Sequence, residues 1–319
     1  MSSDDPGHET VHSKKMIFVT GVNGQLGHDV MNELSARGME AVGSDITEKY
    51  GGAEDGSPVC TMPYEQLDIT DGKAVSDLLG RLQPAAVIHC AAWTAVDAAE
   101  DPENLEKVRR INVDGTEYIA EICDDIGAKM LYLSTDYVFS GQGERPWEPD
   151  DPDYDPLNVY GQSKLDGELA VIGNLDRHFI VRIAWVFGKN GNNFIKTMLK
   201  LGKTHDELRV VNDQIGTPTY TYDLARLLVD MIQTEEYGYY HATNEGGYIS
   251  WHEFAEEIFR QAGIGVTVHP VTTEEYGISK AARPFNSRLD KKKLVKSGFK
   301  PLPGWKDALH RYLIEIGEI

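Results

Sequence analysis

Tyr160 and Lys164 stand at positions i and i+4 of the run Tyr160-Gly161-Gln162-Ser163-Lys164. If that run opens a helix, the two side chains share one face. A free phenol has a pKa of about 10 and holds its proton too tightly to exchange it readily at neutral pH. An ammonium beside it stabilises the phenolate and lowers that value, so Tyr160 can give or take a proton under mild conditions. Tyr-x-x-x-Lys also arises by chance on helix surfaces. Ser134-Thr135-Asp136 adds weight, because it closes an apolar run that reads as a strand, and open α/β sheets bind ligands beyond their strand ends. There the Thr135 hydroxyl can hold a carbonyl oxygen while Tyr160 protonates it. Thr135, Tyr160 and Lys164 thus form a candidate catalytic set for carbonyl chemistry.

A second constellation supplies what such chemistry needs. Thr20-Gly21-Val22-Asn23-Gly24-Gln25-Leu26-Gly27 lies between an apolar run and a helical pattern. Gly21 permits a tight turn, Gly24 lets backbone approach a pyrophosphate, and Gly27 lets helix pack on strand. The helix start after Gly24 then offers free N–H groups and partial positive charge to phosphates. Asn23, Gln25 and Leu26 complete the loop, and Asp45 ends the next apolar run 24 residues after Gly21. A carboxylate there accepts hydrogen bonds from ribose hydroxyls and repels a 2′-phosphate. The cofactor implied is NADH or NADPH, with Asp45 favouring NADH.

The elements that must position these residues alternate along the chain. Met16–Thr20 is too short for a helix and is bounded by Lys14-Lys15 and Gly21, so it reads as a buried strand. Further strands are expected at 40–44, 86–90, 129–134 and 179–185, with helices at 25–37, 74–82, 103–126 and 159–172 between them. The stretch from Tyr50 to Pro63 has no periodicity and reads as loop. This rhythm predicts a doubly wound, parallel α/β sheet of Rossmann type. Beyond Gly188 helices are expected at 194–201, 221–233, 250–262 and 305–316. Ser250 with Glu253 makes a capping box, and 237–242 can return a last strand to the sheet. The expected division is a flexible tail over 1–15, a dinucleotide-binding domain over 16–188 with 218–245, and a smaller α/β substrate lobe over 189–217 with 246–319.

Composition narrows the function classes. Hydrophobic residues make up 41% and charged residues 26%, ordinary for a globular enzyme. A formal net charge of −20 argues against nucleic acid and anionic lipid as partners. Local Arg and Lys can still hold a small anionic substrate. No apolar run approaches the ~20 residues that span a bilayer. Met1–Lys15 is polar and lacks the apolar region of a secretory signal. His8 and His12 within it read as solvated. Cys60, Cys90 and Cys123 are odd in number and show no CxxC spacing, so neither a disulfide framework nor a zinc site is expected, and no metal. The expected compartment is the cytoplasm.

The Gly-x-x-Gly-x-x-Gly spacing resembles that of the extended short-chain dehydrogenases. The resemblance sharpens at Ser134-Thr135-Asp136-Tyr137-Val138-Phe139 followed by Gly141, which is similar to the signature of the dTDP-4-dehydrorhamnose reductase family. Pro146-Trp147, Pro156 to Gly161, Ala91 to Glu100, Arg182 to Gly188, Asn192-Asn193-Phe194, Asp213 to Thr219 and Ala282-Arg283-Pro284 fit the same family. Trp93 stands where that family more often has His or Tyr, which would reshape the pocket edge. The resemblance implies that Asp68-Ile69 lies along the adenine, and that Ala91, Ala92 and Thr94 lie along the cofactor. It implies a sugar site lined by Val96, Asp136, Tyr137, Trp185 and Asn193, with Trp185 stacked on an apolar sugar face. Arg283 would take a diphosphate through bidentate contacts, while Asn112 would brace helix and sheet. The implied substrate is a dTDP-sugar, dTDP-4-dehydro-L-rhamnose, reduced at C4, and a homodimer is left open. Dehydratases related to this family usually carry Thr-Asp-Glu at the strand end, where this chain has Tyr137, so reduction is the better reading than dehydration or epimerisation. A dinucleotide-binding regulatory subunit of methionine adenosyltransferase is the rival from another class. Retention of Thr135, Tyr160, Lys164 and Trp185 counts against it.

Overall fold

The computed structural model describes residues 15–277 and 279–319. The tail expected over residues 1–15 lies outside them up to residue 14, His8 and His12 included. Chain order runs β1 (Ile17–Thr20), α1 (Gln25–Ala36), β2 (Ala41–Asp45), β3 (Tyr64–Gln66), α2 (Gly72–Leu82), β4 (Ala86–His89), α3 (Leu105–Arg109), α4 (Gly115–Ile126), β5 (Lys129–Thr135), α5 (Val159–Asn174) and β6 (His178–Ile183). It continues with β7 (Val186–Phe187), α6 (Phe194–Gly202), β8 (Glu207–Val211), β9 (Ile215–Gly216), β10 (Thr219–Tyr220), α7 (Thr221–Ile232), β11 (Gly238–His241), β12 (Ile249–Ser250) and α8 (Trp251–Ala262). β13 (Thr267–Val271), α9 (Thr273–Tyr276), α10 (Lys292–Lys296) and α11 (Trp305–Glu315) close the chain.

A seven-stranded sheet in the order β11-β6-β5-β4-β1-β2-β3, parallel at every pairing, forms the centre. Successive side chains of a strand point to opposite faces, and β1 shows what that requires. Ile17 and Val19 enter a core with Val30 and Leu34 of α1 and Leu224 and Leu228 of α7. Phe18 enters the opposite core with Leu79 of α2, Ile119 of α4 and Val171 of α5. Both faces are covered, so the strand must be apolar throughout, which is why its sequence shows a continuous run rather than alternation. The expected return of the chain to the sheet is realised by β11, which pairs with β6 from Gly238↔Phe179 to His241↔Arg182. A third cluster gathers Phe187, Ile195, Leu199, Phe254, Ile258, Trp305 and Leu309 around α6, α8 and α11. The capping box of Ser250 and Glu253 is present at the start of α8.

Strand order reverses between β4 and β1, the switch point at which doubly wound sheets open a crevice. The helix expected over 103–126 is not continuous. α3 passes into a π-helical turn over Arg110–Asp114 before α4 begins. The cause is Asn112, whose amide is drawn inward: its Oδ1 accepts the Trp93 N–H at 2.8 Å, and its Nδ2 donates to the Trp93 carbonyl at 3.2 Å and to Ser163 Oγ at 2.9 Å. A helix interrupted by an inserted side chain commonly widens in this way. Asn112 therefore braces α5 against the segment after β4.

Candidate active site

A cleft of about 1320 Å³ runs along the ends of the sheet strands. Its phosphate end is built from glycines that nothing larger can replace. Gly21 sits at φ 71°, and a Cβ there would lie 2.6 Å from the Ala91 nitrogen; a Cβ at Gly27 would lie 2.3 Å from the Gly21 oxygen. Gly24 precedes α1 without a side-chain cap, which leaves that helix start open to an anion. This cradle fits the pyrophosphate of a dinucleotide. Gln25, Leu26, Asp45, Asp68, Ile69, Ala91, Ala92 and Thr94 line the same cleft. Both Asp45 oxygens are anchored by backbone, Oδ2 by the Asn23 N–H at 3.0 Å and Oδ1 by the Ile46 N–H at 2.8 Å. Asn23 is not among the residues that line the cleft: its side chain donates to Thr47 Oγ1 and accepts the Gly51 N–H, each at 2.8 Å, and its backbone N–H holds Asp45.

Thr135, Tyr160 and Lys164 meet on the wall of the cleft. Thr135 ends β5, and Tyr160 and Lys164 lie in the first turns of α5. That helix starts where it does because Asn158 Oδ1 accepts the Gly161 N–H at 2.7 Å and Glu100 Oε1 accepts the Val159 N–H at 2.8 Å. Burial pushes the Tyr160 phenol up to about 12; the Thr135 hydroxyl opposes this and the Asp136 carboxylate adds to it. Burial also pulls the Lys164 amine down to about 7, against the fields of Glu168 and Cys90, and its Nζ sits 4.0 Å from the Tyr132 ring centre. The expected lowering of the Tyr160 value by Lys164 is not what sets it: burial dominates, and the group that opposes burial is the Thr135 hydroxyl. In a dry wall both groups favour their neutral forms, and a neutral phenol is the form that donates a proton.

At the far end Trp185 follows β6 with φ 51°, a left-handed backbone that a bulky residue holds only when its surroundings dictate it. Its indole stacks on Trp251 with ring centres 3.7 Å apart and planes 15° from parallel. Gly216 makes room for it, since a Cβ there would lie 2.8 Å from Trp185 Cε2. Val96, Tyr137 and Arg283 share this wall, and the Tyr137 and Tyr160 rings meet edge-on at 5.6 Å. Arg283 Nη2 donates to Asp97 Oδ2 at 2.9 Å, while its Nη1 is buried without a partner.

Two expected sugar contacts lie elsewhere. Asp136 is 2% exposed and stands behind the wall, its Oδ1 accepting the Thr135 hydroxyl at 3.1 Å; burial raises it to about 6. Asn193 is consumed by structure. Its Oδ1 caps α6 at the Lys196 N–H, and its Nδ2 donates to Gln25 Oε1, the Gly188 carbonyl and Tyr312 Oη. Its neighbours Asn192 and Phe194 reach the cleft instead. Trp93 does not line the cleft: its indole N–H donates to the Ala95 carbonyl at 3.0 Å. Trp251 and Phe254, unmarked in the sequence, do line it. The only available signal was the Ser250 cap, which fixes Trp251 in the first turn of a helix but not what that turn faces. Among the described residues no three His, Cys, Asp or Glu side chains are grouped to hold a metal ion.

A dinucleotide crevice that shares one wall with a strand-end Thr and a Tyr-x-x-x-Lys helix is the arrangement of extended short-chain dehydrogenases, and the parallel sheet places this protein in that class. Residues 15–317 match the RmlD substrate binding domain, and the chain belongs to that family, which it shares with dTDP-4-dehydrorhamnose reductases. It is 39% identical over 298 residues to the dTDP-4-dehydrorhamnose reductase of Streptomyces griseus, covering 92% of this chain and 91% of the relative. It is likewise 39% identical over 299 residues to the spore coat polysaccharide biosynthesis protein SpsK of Bacillus subtilis (strain 168), covering 94% and 97%. The crystal structure of dTDP-4-dehydrorhamnose reductase from Bacillus anthracis str. Ames in complex with NADP superposes with a TM-score of 0.84 at 39% identity, over 95% of this chain and 99% of that one.

Proposed function

We propose that this protein reduces the C4 ketone of dTDP-4-dehydro-L-rhamnose to dTDP-L-rhamnose with NADH or NADPH. The observation that carries the reading is that Thr135, Tyr160, Lys164 and Trp185 line the same cleft as the glycine cradle. The reduced nicotinamide, when bound, supplies the hydride. Tyr160 Oη delivers its proton to the C4 oxygen as negative charge develops there. The Thr135 hydroxyl holds that oxygen, and the negative charge left on Tyr160 favours the ammonium form of Lys164, which stabilises the phenolate. Trp185 offers an indole surface to the sugar, and Val96 and Tyr137 bound it. Arg283 takes the diphosphate, for which its place on the cleft wall is the support. Under this reading residues 16–188 with 218–245 hold the cofactor, and 189–217 with 246–319 form the sugar lobe. Support for the second stretch comes from Trp251 and Arg283, which reach the cleft from it. Tyr137 gives no carboxylate for the elimination that a dehydratase performs. No described helix is long and apolar enough to cross a membrane, and three free cysteines suit a reducing cytoplasm.

The test couples the protein to a dehydratase and an epimerase that generate the keto-sugar from dTDP-glucose, and follows loss of reduced-nicotinamide absorbance. Turnover that needs both upstream enzymes and yields dTDP-rhamnose is the expected result. No turnover with either nicotinamide, in protein that binds both, overturns the proposal. Capture of a methionine adenosyltransferase by that same inactive protein would favour the regulatory reading.

A further inference from the structure

Asp97 belongs to the segment after β4, and the chemistry above leaves it without a task. It is half-exposed, yet three groups of one short strap converge on its carboxylate. Oδ1 accepts the Ala281 N–H at 2.9 Å and the Ser279 hydroxyl at 3.3 Å, and Oδ2 accepts Arg283 Nη2 at 2.9 Å. A carboxylate with that many donors is held below its ordinary range despite its partial burial. The strap is fixed a second time where Lys280 pairs with Asp101. A third tie comes from Asn158, the residue that caps α5, whose Nδ2 donates to the Ala282 carbonyl at 2.8 Å. Between Asp97 and Asp101 lies one 3₁₀ turn, Ala98–Glu100, and Glu100 is the residue that receives the first N–H of α5. One turn therefore touches both the strap that carries Arg283 and the helix that carries Tyr160.

The guanidinium is left asymmetric by this arrangement. Nη2 is committed to Asp97, and Nη1 is buried, unpartnered and part of a residue on the cleft wall. A guanidinium is a planar fork, so fixing one arm sets the direction of the other.

We propose that Asp97 is a positioning residue that locks the Ser279–Arg283 strap, so that the Arg283 guanidinium is held on the cleft wall, beside the diphosphate of a nucleotide sugar, at a set distance from Tyr160. The inference rests on the reading of Arg283 as the diphosphate contact. Its consequence is selectivity for a nucleoside-diphosphate-linked ketone, since only such a substrate bridges the two fixed points.

The experiment is a double-mutant cycle on the full chain with dTDP as the binding probe, joined to steady-state kinetics. Asp97→Asn removes one charge and keeps the volume. Loss of a charge-assisted hydrogen bond at a half-exposed carboxylate should weaken dTDP binding about tenfold, with NADH affinity unchanged and kcat/KM falling mainly through KM. In an Arg283→Ala background, Asp97→Asn should cost nothing further, because its effect runs through Arg283. Additive losses across the cycle, or wild-type dTDP affinity in Asp97→Asn while Arg283→Ala is weak, would sink the positioning role alone. Unchanged dTDP affinity in Arg283→Ala would instead remove the diphosphate reading on which it stands.

Discussion

Glu168 and Arg182 offer the most demanding test of how this fold is held together. Both side chains are 0% exposed. Arg182 Nε donates to Oε1 at 2.8 Å and Nη2 to Oε2 at 2.6 Å, a two-pronged ion pair between β6 and α5. The remaining partners of Arg182 are the Pro149 carbonyl at 3.1 Å and Tyr154 Oη at 2.9 Å, with the Phe139, Tyr154 and Tyr239 rings around it. None of these neutralises its charge. Glu168→Ala removes two charge-assisted hydrogen bonds worth about 1.5–3 kcal/mol each. It leaves a guanidinium stranded, so a loss of about 3–5 kcal/mol is expected, as for other broken buried pairs. That is a large part of the ~5–15 kcal/mol that a folded protein usually holds in reserve. Urea unfolding followed by circular dichroism, with wild type and variant at one pH, measures it. Replacing both residues by Met should recover much of the loss, because the cost lies in the orphaned charge rather than in the missing volume. A loss in Glu168→Ala below about 1 kcal/mol would refute the reasoning, since that is the behaviour of a solvated pair. The same substitution removes the carboxylate that holds the Lys164 value up. Any limb of the pH–rate profile that reports Lys164 should therefore move to lower pH.

Three further outcomes are expected. Tyr160→Phe should lose turnover by about 10²–10⁴-fold, the usual worth of a positioned general acid, while still quenching on NADH titration; turnover within a few-fold of wild type would discard Tyr160 as the proton donor. Asp45→Ala should raise the NADPH-to-NADH ratio of kcat/KM by about tenfold or more as a charge facing the 2′-phosphate is lost, and an unchanged ratio would remove Asp45 from the ribose site. Burial raises Asp29 from 3.8 to about 7, so the folded state keeps a proton that the unfolded chain gives up; stability from this group is present at low pH and is lost as pH climbs towards and through about 7. Relative to Asp29→Asn, wild type should lose about 3 kcal/mol of unfolding free energy between about pH 5 and about pH 8, and parallel stability curves for the two proteins would contradict it.

Most of the sheet was legible because its strands are apolar runs closed by glycine or by charge, a pattern that double burial imposes. The glycine loop was legible for a related reason: Gly21 and Gly27 are the types that close contact with backbone demands. What escaped depends on where a side chain points. Asn193 and Asp136 sit beside residues that line the cleft, yet one caps a helix and the other faces inward; composition is blind to that choice. The π turn at Arg110–Asp114 arises from an amide reaching Trp93 and Ser163, partners 19 and 51 residues away, so local periodicity could not announce it. The resting protonation of Tyr160 and Lys164 also depended on burial, which a spacing argument does not contain.

The Trp185–Trp251 stack makes the protein its own reporter. Two indoles 3.7 Å apart with planes 15° from parallel are close enough for their strong far-ultraviolet transitions to couple, and such coupling is expected as a paired band of opposite signs in circular dichroism. One indole follows a strand of the central sheet and the other opens α8, so the splitting is a ruler between those two elements. Titrating wild-type protein with nucleotide or dinucleotide alone, and watching that band change or hold, would show whether either ligand shifts α8 against the sheet, with no label attached to the chain.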